Sequence, residues 1–105
     1  MPNKYSVYIL PKAGGELDNI YLYYYEESCE QAVADKVTGE IETAILKLED
    51  FPKAHPPSRI KRLAKRGYRN LVIGNYIALY KIDEKTKTVT VAHIFHGMTD
   101  YAKYI

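Results

Sequence analysis

Eight basic side chains fall between residues 51 and 82: Lys53, Arg59, Lys61, Arg62, Lys65, Arg66, Arg69 and Lys81, with no Asp or Glu among them. His96 and Tyr101 follow shortly after. Guanidinium and ammonium groups hold phosphate oxygens through charge-assisted hydrogen bonds. Histidine is the side chain that titrates nearest neutral pH, so His96 suits proton transfer. The rest of the chain has a different balance. Residues 1–50 carry four lysines against ten acids, and residues 83–105 carry three of each sign. A net charge of +2 therefore conceals a strongly basic middle. Such a segment is expected to meet a polyanion or an acidic protein, or else to stay a solvated loop.

Other chemistries find no support. His93, three residues before His96, falls on the opposite side of a strand and reads as a packing residue. The histidines lack a suitable carboxylate pair, so no metal site and no cofactor are expected. A lone cysteine, Cys29, excludes an internal disulfide and fits a reducing, cytoplasmic setting. The Met1–Lys4 start lacks the apolar run of a signal peptide, and no 18-residue apolar stretch occurs, so no membrane partner is expected.

The 105 residues, 47% hydrophobic, fit one domain, 1–105. Tyr5–Leu10 is aromatic and β-branched and stops at Pro11, which predicts a short strand. After Gly14-Gly15, the positions of Leu17, Ile20, Tyr21, Tyr24 and Tyr25 predict a helix ending near Glu26-Glu27. Ser28-Cys29-Glu30-Gln31 reads as a capping box opening a second helix, placing Cys29 at a helix start. Its stripe is Val33, Val37, Ile41, Ile45 and Leu48, and Pro52 prevents it running much past Asp50.

Residues 51–67 hold three prolines and predict an irregular excursion, with room for a helical turn within 59–66. Strands are predicted over 68–73, 76–82 and 88–95. Gly74-Asn75 forms the first hairpin loop and residues 84–87 the second. The order β-α-α-β-β-β is an α+β fold: a two-helix hairpin packed on a twisted, mainly antiparallel sheet. Neither side of the strands is cleanly polar, so the face away from the helices is expected to be concave and partly apolar.

Nearly the whole chain resembles the RelE/ParE superfamily of toxins from type II toxin–antitoxin modules, also known as plasmid-stabilisation toxins. The resemblance rests on the N-terminal strand, Leu17-Asp18-Asn19-Ile20, Phe51-Pro52, Tyr68-Arg69, Asn75-Tyr76 and Tyr80-Lys81-Ile82-Asp83. It is completed by Val89 to Gly97, with Asp100-Tyr101.

This resemblance implies a cytoplasmic toxin neutralised by a cognate, small and acidic antitoxin. The reading put first is a RelE-like, ribosome-dependent mRNA endoribonuclease that inhibits translation. The alternatives are a ParE-like, non-enzymatic inhibitor of DNA gyrase, or a non-toxic antitoxin-binding relative. In the nuclease branch a 2′-hydroxyl attacks the adjacent phosphate without a metal. Arg69 matches a basic position of that branch, His96 a histidine acid–base position, and Tyr101 a place for base stacking or phosphate contact. Lys61, Arg62, Lys65, Arg66 and Lys81 then bind RNA or partner. Ile77, Met98 and Thr99 stand where that branch usually carries basic residues.

Overall fold

A computed structural model describes residues 4–99 and 103. The order is the expected one: β1 (Ser6–Ile9), α1 (Pro11–Ser28), α2 (Gln31–Leu46), a short α3 (Lys61–Lys65), β2 (Arg69–Ile73), β3 (Tyr76–Asp83) and β4 (Thr88–His96). The C-terminal strands fall within one residue of their predicted spans. The helix boundaries differ. Pro11 opens α1, because its fixed φ and missing N–H suit a first helical turn. The helix therefore starts before Gly14-Gly15 and runs to Ser28.

The Ser28 capping box does not form. The Ser28 hydroxyl donates back to the Tyr24 carbonyl at 2.7 Å and accepts the Glu30 N–H at 3.1 Å. Cys29 ends α1 in the left-handed region, with φ +56° and its N–H on the Tyr25 carbonyl. Glu30, without a side-chain cap, precedes α2. Leu48 stays on the apolar stripe but sits in a 3-10 turn, Lys47–Glu49, after α2 has ended.

The sheet order is β1-β4-β3-β2. β1 runs parallel to β4, with Ser6 opposite Thr88 and Ile9 opposite Val91, and the other pairs are antiparallel. The register slips between Leu79 and Tyr80, opposite Val91 and His93, leaving Ala92 as the extra residue of a bulge. That slip keeps Val89 and Val91, then Ile94, all facing the helices. They join Leu71, Ala78, Tyr80, Ile20, Ile41, Ile45 and Leu48 in one buried cluster. Fully burying each large aliphatic side chain is worth about 1.5–3 kcal/mol.

Beyond Ile9 the outer edge of β4 has no strand beside it. There the Glu16 carboxylate of α1 accepts the Ile94 N–H at 2.8 Å, with His93 Nδ1 3.7 Å from the same oxygen. This contact satisfies a ladder group that β1 is too short to reach.

The excursion after α2 is folded down onto β2. The Tyr80 hydroxyl donates to the Pro52 carbonyl at 2.6 Å and the Arg69 guanidinium to the His55 carbonyl at 2.6 Å. The Asn70 N–H reaches the Pro56 carbonyl, and the Ser58 N–H the Tyr68 carbonyl. Burial pushes the Tyr80 hydroxyl up to about 12, against the opposing pull of the Arg69 charge.

Candidate functional site

Strand alternation divides the candidate residues between the two faces. Arg69 faces Tyr80 across the strands, and His96 faces Tyr76, so both point to the helix side. Four residues of β3 and two interstrand steps lie between them. Strand geometry sets them roughly 16 Å apart, at opposite ends of the sheet. Arg69 is half-buried with its guanidinium on the excursion. His96 is exposed; its Nδ1 accepts the Met98 N–H at 3.1 Å, and its ring stands edge-on to Tyr76 with centroids 5.4 Å apart. Neutral His96 thus has Nε2 as its N–H donor. Tyr101 lies outside the described residues, as does Tyr104.

The face away from α1 and α2 carries Asn70, Val72, Ile77, Leu79, Lys81 and Thr90. Leu79, and Leu63 of α3, are fully buried outside the main cluster, so the middle of this face is covered. A cleft opens on either side of it. The larger, about 630 Å³, is lined by Arg66, Tyr68, Lys81, Lys85 and Thr90 among others. Lys81 Nζ lies 4.6 Å above the centre of the Tyr68 ring, a cation–π contact that holds the charge over the cleft. At one wall Glu84 joins the Tyr5 hydroxyl at 2.8 Å, Lys53 at 3.0 Å and Lys87 at 3.2 Å. These partners, the Lys53 hydrogen bond foremost, hold its carboxyl down to about 2.

The second cleft, about 260 Å³, lies at the hairpin end, with Arg59, Asn70, Val72, Ile77, His96 and Met98 in its walls. Of the cations read from the sequence, Arg66 and Lys81 meet in the larger cleft. Lys61, Arg62 and Lys65 are exposed on α3 beside it. Ile77 and Lys81 share a face four residues apart, so Lys81 stands about 13 Å from the position where the nuclease branch is basic.

Two side chains escaped the sequence reading. Arg59 sits in the proline-rich excursion, where no periodicity assigns a direction. Asn70 interrupts an otherwise apolar strand, and that was its available signal. Among the described residues no group of three or more His, Cys, Asp or Glu could hold a metal ion, and no helix is long and apolar enough to cross a membrane.

An open mixed sheet backed by a helical hairpin places this chain among small α+β toxin folds. It is similar to the solved structure "Chromosomal ParDE TA system from P. aeruginosa", at 21% identity and TM-score 0.73, covering 90% of this chain and 97% of that one. It is also similar to the toxin–antitoxin complex RelBE2 from Mycobacterium tuberculosis, at 21% identity and TM-score 0.60, covering 89% and 91%. No curated protein matches the chain. The family described as "ParE toxin of type II toxin-antitoxin system, parDE" matches residues 7–101. The chain belongs to that family, and is a toxin of the ParE/RelE superfamily.

Proposed function

We propose that this toxin acts by occupying its target, as a ParE-like inhibitor of DNA gyrase, and that a cognate antitoxin holds it inactive. The observation that carries this reading is the separation of Arg69 from His96. In-line transfer at a phosphate needs positive charge and a proton-transfer group within hydrogen-bond reach of the same few atoms. Roughly 16 Å of sheet lies between these two, and the Arg69 guanidinium already bonds a backbone carbonyl. Uncharged Ile77, Met98 and Thr99 add to the argument. Controlled expression should arrest growth and accumulate cleaved gyrase–DNA complex, with mRNA intact on primer extension.

A second reading, an mRNA endoribonuclease, draws on one feature: Arg59 and His96 line the same cleft. Cuts at the ribosomal A site in the same assay would select it and discard the gyrase reading. An antitoxin partner is common to both, supported by the two toxin–antitoxin systems that share the fold.

A further inference from the structure

Asn70 is 4% exposed, and its Oδ1 is buried without a hydrogen-bond partner. Its backbone N–H is fixed to the Pro56 carbonyl at 3.0 Å, so the residue is anchored where it stands. An unpaired buried carbonyl oxygen destabilises a fold, and such groups in native proteins call for a cause. Here the side chain lines the 260 Å³ cleft at the hairpin end. The missing partner must be a donor, since an amide oxygen only accepts.

The remaining walls narrow the ligand further. Arg59 and His96 line the cleft and no Asp or Glu does, which favours an anion. Val72 and Ile77 supply apolar surface suited to the face of a flat ring. The volume admits one base with its phosphate at the mouth, and excludes a duplex. We propose that this cleft is a subsite for a single unpaired nucleotide whose base carries an exocyclic amino group, adenine or cytosine. Asn70 Oδ1 accepts from that amino group, and Arg59 holds the phosphate.

The subsite follows from the cleft itself and is independent of whether the target is gyrase or mRNA. It is tested on the purified full chain with neither target present. AMP and IMP differ at one position, amino against carbonyl, as do CMP and UMP. NMR titration should show AMP and CMP moving the Asn70 side-chain amide signals, with IMP and UMP at least roughly tenfold weaker. Asn70→Leu removes the acceptor at similar volume. It should raise the melting temperature while binding AMP and IMP alike. Arg59→Ala should bring AMP down to the affinity of adenosine.

Equal binding of AMP and IMP to the unaltered chain overturns the proposal, as does the absence of saturable binding. So does discrimination that survives in Asn70→Leu. The AMP–IMP comparison needs no variant, so a variant that fails to fold does not rescue the idea. If hexaglutamate moves the Asn70 signals and AMP does not, the cleft takes an acidic protein segment and the nucleotide assignment fails.

Discussion

Tyr80 and Pro52 are joined by a buried hydrogen bond, hydroxyl to carbonyl at 2.6 Å, across 28 residues of sequence. The bond fixes the start of the excursion to the centre of the sheet. Tyr80→Phe leaves the Pro52 carbonyl without its donor. It should cost about 1–3 kcal/mol, lowering the melting temperature by about 4–8 °C per kcal/mol for a domain of this size. Thermal unfolding followed by circular dichroism measures it.

The same hydroxyl predicts an alkaline limit. Its folded value is raised to about 12 from 10.0, so the folded state holds the proton more tightly than the unfolded chain. The stabilisation is complete below pH 10 and declines as pH rises from 10 towards 12. Tyr80→Phe, less stable at pH 8, should lose less on going to pH 11. Chemical unfolding at the two pH values tests this, and an equal loss in both proteins would refute it.

Glu84 predicts a dependence of the opposite sign. Its carboxyl is held at about 2 against 4.5 when free, so its contribution is present above pH 4.5 and fades as pH falls towards 2. The group is solvent-accessible, which keeps the effect modest and screened by salt. Glu84→Gln should flatten the acid limb of the stability curve between pH 4.5 and 2. Raising ionic strength should narrow the difference between the two proteins.

Arg69 and His96 should separate in their consequences. Arg69→Met removes a guanidinium bonded to the His55 carbonyl and should destabilise by about 1–3 kcal/mol. His96→Ala alters an exposed side chain and should stay within about 0.5 kcal/mol. Under the gyrase reading both variants, assayed where they are folded, still accumulate the cleaved complex. Loss of toxicity in a folded His96→Ala would count against it.

Cys29 offers a stabilising change. It holds φ +56°, a conformation that glycine adopts without the Cβ penalty, at the end of α1. Cys29→Gly should raise stability by up to about 1 kcal/mol. A drop in denaturation midpoint would contradict it.

The strand pattern was legible because alternation and the Gly74-Asn75 loop report on one another within a few residues. Gly74, at φ +57°, closes the hairpin with Ile73 opposite Tyr76. The α1–α2 junction misled because Ser28 can bond either backward or forward, and the capping signature does not say which. Pro11 likewise suits a strand end and a helix start equally. The site was less readable. Placing Arg69 relative to His96 requires knowing that β3 lies between β2 and β4. Arg59 and Asn70 acquire meaning only from a cleft made by three separate segments.

The parallel pairing of β1 with β4 sets an order on the chain's biogenesis. Ser6 must wait for Thr88, and Ile9 for Val91, before the first strand has anything to join. Val89 and Val91 are core residues, so the helical hairpin has no complete sheet to pack on until the last strand leaves the ribosome. A translation product cut short before β4 therefore lacks a finished core. Toxicity is withheld until synthesis is nearly over, which gives an antitoxin made alongside it time to be there first.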